Sequence, residues 1–277
     1  MKGNKMHTTA RSRSQRWPLW MVGGAVVLLG SADVAPAAES MTAQQIVDNA
    51  LERNAFGFEN AAARLTLELI SKRGNARQRD IEVRSRDEGD DAGGRFLVRF
   101  RSPADVAGTG FLVIENDSGD DDQYLYLPAL GKVKRITGSQ RNQKFMGTDL
   151  TYADMESRNL RDAHLKRLAD ASLGGNATYV IEAKPKQPED SQYSKTITWV
   201  HKRSFVPLKV EFYDKKGELL KTLLVKRLEK KSGHWVAMRT HIKDVQAGTQ
   251  TKMRVRQVDF SVELDDREFT RRALAGG

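Results

Sequence analysis

The side chains that could do chemistry in this 277-residue chain are few: five histidines, scattered carboxylates and no cysteine. His234 and His241 are seven residues apart, which on one regular strand points them to opposite faces, so they do not read as a metal pair. Asp149 and Asp154 could be an acid/base pair. With Thr151 and Tyr152 between them at an expected helix start, they read instead as capping and dipole-matched acids. The acidic tip Asp117 to Asp122 lacks the register of a calcium loop and reads as a solvated hairpin end. The chain contains no Gly-x-Ser-x-Gly elbow, phosphate-binding Gly-Lys-Ser/Thr loop or His-Glu-x-x-His helix. Without cysteine, disulfides, thiol nucleophiles and thiolate metal sites are excluded. The expectation is a protein that is not an enzyme and needs no cofactor or metal.

The most informative stretch runs from Gln123 to Asp154. Tyr124 to Leu127 is a short apolar strand, Pro128 and Gly131 punctuate a turn, and Lys132 to Ile136 returns as a second strand. Lys132, Lys134 and Arg135 form its basic cluster and are expected to meet an anionic surface. They alternate imperfectly, so at least one must leave the common face. A polar tether follows (Ser139, Gln140, Asn142, Gln143), then Phe145, Met146 and a hinge at Gly147, with a helix expected from about Thr151 to Asn159. Gln140 to Tyr152 therefore reads as a mobile gate whose apolar plug rests in a pocket. The competing reading makes Phe145 and Met146 permanent core.

These residues must be positioned by strands. Thr42-Ala-Gln-Gln45 is a capping box for a helix reaching about Arg53, with Ile46, Val47, Ala50 and Leu51 on its apolar face. Period-two alternation and Gly, Pro, Asn and Asp turns then predict ten to thirteen antiparallel strands. Leu219 to Leu228 fits a helix as well as a strand, and its flanking hairpin signals favour a strand. A parity switch near Arg256-Gln257 predicts a β-bulge, and Asp265 to Glu268 a terminal capped turn. So large an antiparallel sheet must curl, with a few short helices over its concave face. Leu67, Phe96, Val98, Leu112, Tyr124 and Tyr126 are expected to line an apolar cavity there, the alternative being a sealed core.

Residues 1–38 read as a secretory signal. Lys2, Lys5, Arg11, Arg13 and Arg16 make the basic region, Leu19 to Leu29 the apolar run, and Ala35-Pro36-Ala37 the cleavage site. Residues 39–277 then form one domain. With no cysteine to acylate, the exported protein is expected to be soluble and not itself a lipoprotein. The net charge of +10 loses five positive residues and Asp33 with the leader, leaving +6. That charge suits anionic lipid or an acidic partner, whereas export argues against nucleic acid.

Several phrases resemble one family. They are the helix beginning Met41-Thr-Ala-Gln-Gln-Ile-Val-Asp48, Phe100-Arg-Ser-Pro-Ala-Asp-Val-Ala-Gly-Thr-Gly-Phe-Leu112, Tyr126 to Arg135, and Phe145 to Asp154. Together they look like the outer-membrane lipoprotein-sorting proteins, relatives of the periplasmic carrier LolA, over nearly the whole mature chain. The resemblance implies a mainly β (α+β) fold, an unclosed β-barrel with a helical lid. It also implies a monomeric periplasmic carrier of lipid or lipoprotein acyl chains, partnered by an inner-membrane permease of the resistance-nodulation-division (RND) type. The basic cluster would then face lipid headgroups or an acidic patch on that permease. A non-carrier accessory subunit docking on such a permease is the alternative.

Overall fold

The computed structural model describes residues 41–51, 60–87, 94–116, 121–156 and 163–276. The expected leader and the tip residues 117–120 lie outside them. Helix α1 (Ala43–Leu51) starts at the expected capping box: the Thr42 N–H donates to Gln45 Oε1 at 2.8 Å, and the Gln45 N–H to Thr42 Oγ1 at 3.2 Å.

Thirteen strands follow: β1 (Ala61–Ile70), β2 (Ala76–Asp87), β3 (Gly94–Ser102), β4 (Gly110–Ile114), β5 (Asp122–Leu127), β6 (Lys132–Ile136), β7 (Ala163–Leu173), β8 (Asn176–Pro185), β9 (Lys195–His201), β10 (Pro207–Tyr213), β11 (Leu219–Lys231), β12 (His234–Asp244) and β13 (Thr249–Asp259). A short helix, α2 (Arg271–Gly276), ends the described chain after the predicted Asp265 capping box. All strands belong to one antiparallel sheet of order β6-β5-β4-β3-β2-β1-β13-β12-β11-β10-β9-β8-β7. It is two meanders joined where β1 pairs β13, and it does not close into a barrel. Leu219 to Leu228 is strand, as its flanking turns required. The register of β1 on β13 slips between Arg64↔Gln257 and Leu65↔Val255, which places the predicted bulge at Arg256.

Directly paired residues share a face, so the register traces one surface across the sheet. From Leu65↔Val255 it passes through Thr251↔Ile242, Asp244↔Lys221, Lys221↔Phe212 and Thr196↔Ala183 to Leu165 on β7. In the other direction it carries Ile81, Val83, Phe96, Val98, Phe111 and Leu125. Across this face lies the described part of the connection between β6 and β7, residues 137–156, here termed the strap. Tyr152 places its ring 5.4 Å from Phe111 on β4, while Asp154, two residues later, pairs with Lys221 on β11. β4 and β11 are six strand spacings apart, about 29 Å in a flat sheet. Two residues cannot span that distance, so the sheet curls and the strap sits in its concavity.

The main core is this concave face of β1–β6 and β12–β13, filled by Phe145, Leu150, Tyr152 and Met155 of the strap. α1 covers the other end, laying Ile46, Val47 and Ala50 on Ile181 and Val200. A smaller cluster lies on the outer face, where Leu97 and Leu112 are covered by Phe269 and Leu274. The helix expected from Thr151 to Asn159 is, among the described residues, a single 3-10 turn at Ala153–Met155. Residues 157–159 of that expected helix lie outside the described residues.

Candidate functional site

The strap is irregular because its apolar and polar residues bind different parts of the concavity. Lys144 and Thr151 form an isolated bridge, and the Phe145 N–H donates to the Leu150 carbonyl at 2.7 Å, closing a tight loop. Within that loop Met146 (φ 46°) and Gly147 (φ 76°) are left-handed, which is costly for Met and free for Gly. The Arg79 guanidinium donates to the Met146 carbonyl and holds the strained residue in place. Phe145, 1% exposed, then points inward among Phe100, Phe111 and Tyr152, with ring centroids 5.9, 5.0 and 5.6 Å away. Gln123, buried on β5, donates its amide to the Tyr152 carbonyl at 2.9 Å.

Beside this aromatic plug runs a buried polar network. Asp149 accepts hydrogen bonds from Lys144 Nζ (3.0 Å), Thr251 Oγ1 (2.8 Å) and Thr249, and Lys144 also reaches Asp244 at 3.3 Å. Asp154 pairs with Lys221 and accepts from the Tyr193 hydroxyl at 2.7 Å. The Lys221 ammonium donates to the Asp149 carbonyl at 3.2 Å and lies 4.9 Å from the Phe212 ring centre. Burial, then the Asp154 charge and hydrogen bond, push the Tyr193 phenol well above its ordinary range. Burial works against the Lys144 ammonium, but Asp149 and Asp244 outweigh it and hold its pKa above the usual value. Asp149 and Asp154 are thus buried anchors that tie the strap to β11 and β13, and Asp154 also caps the Ala153–Met155 turn as expected, accepting from the Thr151 N–H at 2.6 Å.

On the other side of this network the concavity stays open. A cavity of about 530 Å³ lies between the strap and the inner faces of β8–β10, lined by Asp154, Tyr193, Thr196, Thr198, Val210 and Phe212. Its strap side carries a largely buried pair between Arg141 and Glu156 at 3.2 Å. Alkyl, aromatic and hydroxyl groups share the lining with charged ones, from the strap on one side and from Lys186, Asp190 and Lys195 on the other.

The residues expected to line a cavity are divided between two faces. Leu67, Phe96 and Val98 lie in the concave core, packed with the strap. Leu112, Tyr124 and Tyr126 face the opposite way, in the outer cluster under α2. β3 and β4 read Phe-Leu-Val in both strands, Phe96–Val98 and Phe111–Val113; such uninterrupted apolar runs signal burial on both faces. Of the gate residues, Phe145 and Tyr152 are buried, Met146 is half-buried and Gly147 exposed. Of the basic cluster, Lys132 and Lys134 share one face of edge strand β6, while Arg135 turns to the other and pairs with Asp122. Lys221 and Tyr193 were not anticipated. A lone lysine within Leu219-Leu-Lys-Thr-Leu-Leu224 was the available signal, because a charge on the inward face of an apolar strand needs a buried partner.

A solved structure from Vibrio parahaemolyticus, described as an outer membrane lipoprotein-sorting protein domain, is 33% identical over 84% of this chain and 99% of its own, with a TM-score of 0.75. This chain belongs to the outer-membrane lipoprotein-sorting family. A DUF1329 family protein from Desulfovibrio piger matches the sorting-family fold with 28% identity over 85% of this chain and all of that one, TM-score 0.76. A LolA superfamily protein from Nitrosomonas europaea shares the fold, with 22% identity over 84% of this chain and all of its own, TM-score 0.65. A family model described as "Uncharacterized protein" matches residues 93–276. A comparison with curated proteins gives no significant match. Among the described residues of this sorting-family member, no helix is long and apolar enough to cross a membrane.

Proposed function

We propose that the protein is a periplasmic carrier that shelters acyl chains of a lipid or lipoprotein in the concave face and moves them between envelope membranes. The observation that carries this reading is the cavity of about 530 Å³ between the strap and β8–β10, within the size range of small-molecule sites. Membership of the sorting family and the basic, apolar leader expected over residues 1–38 support it. Burial of chain methylenes at about 0.8 kcal/mol each gives binding without covalent chemistry. Phe145 and Tyr152 already occupy the apolar half of the concavity, so a long chain enters fully only by displacing the strap. An RND-type permease is the proposed source or recipient of the cargo. Mass spectrometry of an organic extract of the purified protein tests the reading: a stoichiometric acylated species supports it, and a lipid-free extract opposes it.

The accessory-subunit reading is favoured by the β5–β6 hairpin. Leu130, 65% exposed at its tip, precedes exposed Lys132 and Lys134. An apolar tip with flanking cations suits an acidic-rimmed protein pocket, such as one on a permease. Lys132→Glu with Lys134→Glu weakens permease capture and leaves lipid content unchanged if docking is the hairpin's role.

A further inference from the structure

We infer that the convex face of the sheet, along β12 and β13, is an adsorption surface for anionic lipid headgroups. On this face Arg239 of β12 stands directly opposite Arg254 of β13, and His241 opposite Lys252. Arg239, Lys243 and Arg254 are exposed, and Lys226 joins them from a bulge in β11. Arg256, extruded by the β13 bulge, donates to Thr66 Oγ1 at 3.0 Å and extends the row.

Carboxylates do not balance this row. Glu68 pairs with Lys252 at 3.2 Å, and Asp80 accepts hydrogen bonds from Thr66 and Ser102. Among the described residues, Lys226, Arg239, Lys243 and Arg254 have no carboxylate partner. Like charges directly opposite on a sheet oppose pairing of their strands. A sheet that keeps Arg239 against Arg254 gains stability when an external anion lies over both. Burial, then Lys226 and Lys252, hold the His241 imidazole below its usual pKa, in keeping with the crowding of cations.

The partner follows from shape and composition. β13 is the seventh of thirteen strands, so it forms the crest of the curved sheet, the line along which a convex surface touches a plane. Between the cations lie small polar groups such as Thr66, Thr222 and Gln250, not the aromatic anchors of a protein interface. Separate, unpartnered cations on a rigid strip suit a fluid layer of phosphates. Val245, 38% exposed at the β12–β13 turn beside Lys243, offers one apolar contact at the end of the strip.

The surface is independent of the cargo cavity, so cargo-free protein is used to test it. Sedimentation with vesicles of phosphatidylglycerol in phosphatidylcholine, against phosphatidylcholine alone, is expected to show binding only to the anionic vesicles, released by salt. Arg239→Glu with Lys243→Glu is expected to weaken it about tenfold or more, whereas Lys132→Glu with Lys134→Glu leaves it intact. Arg239→Glu alone converts the opposed pair into an ion pair and is expected to raise Tm by about 1–4 °C, so lost binding is not lost folding. Equal binding to both vesicle types, binding indifferent to the β12 changes, or adsorption to poly-glutamate without adsorption to vesicles overturns the assignment.

Discussion

Asp154 on the strap and Lys221 on β11 form an ion pair in which each side chain is only 4% exposed. It fastens the connection between the two edge strands to the far wall of the concavity, and Tyr193 completes it from the cavity side. Removing one charge strands the other. Lys221→Met is expected to cost about 3–5 kcal/mol, read from urea unfolding. Lys221→Met combined with Asp154→Leu is expected to recover most of that loss. If the single change is silent, the pair does not hold the strap.

Phe145 is the centre of the plug. Phe145→Ala is expected to cost about 3–5 kcal/mol by opening a cavity beside Phe100 and Phe111. If the strap yields to cargo, losing the plug also makes it easier to displace, so affinity for an acyl probe is expected to rise as stability falls. Loss of both would make Phe145 core alone.

Gate behaviour is read by hydrogen exchange. Amides of residues 140–152 are expected to exchange faster than those of β1 and β13, and to change on lipid addition. Protection matching the central strands with and without lipid means there is no gate.

At alkaline pH two phenols matter. Tyr193 is held well above its ordinary range by burial and Asp154, and Tyr213 is pushed up to about 12 by its hydrogen bond to Glu211. Raised phenols contribute fully below their unfolded pKa of about 10 and lose that contribution as pH climbs through the folded value. Stability is therefore expected to be level up to about pH 10 and to fall beyond it. Tyr193→Phe should flatten that fall, measured as Tm against pH.

Gly110 faces α2, and a methyl there would lie 2.6 Å from Leu274 Cδ1. Leu274 is fully buried, so Gly110→Ala is expected to cost about 1–3 kcal/mol and displace α2. Faster tryptic cleavage at Arg271 and Arg272 checks this.

Much of this architecture was legible because strands, turns and caps are local signals. The Thr42 and Asp265 capping boxes, the β13 bulge at Arg256 and the strand at Leu219 to Leu228 each follow from a few neighbouring residues. The site was less legible because it depends on which strands meet across the curl. Tyr124 and Tyr126 have the parity of a lining, yet no local feature shows that α2 covers them on the outside. Asp154 has the spacing of a cap and does accept from the Thr151 N–H, and only the long-range approach of Lys221 adds a buried ion pair to that role.

The carrier account is tested most directly by titrating delipidated protein with a fluorescent acyl-chain probe, alongside Thr196→Trp, which fills the cavity from half-buried β9. The account predicts saturable binding, competed by natural lipid and lost in Thr196→Trp while the fold is retained. Binding unchanged by Thr196→Trp, or absent from the natural protein, contradicts it.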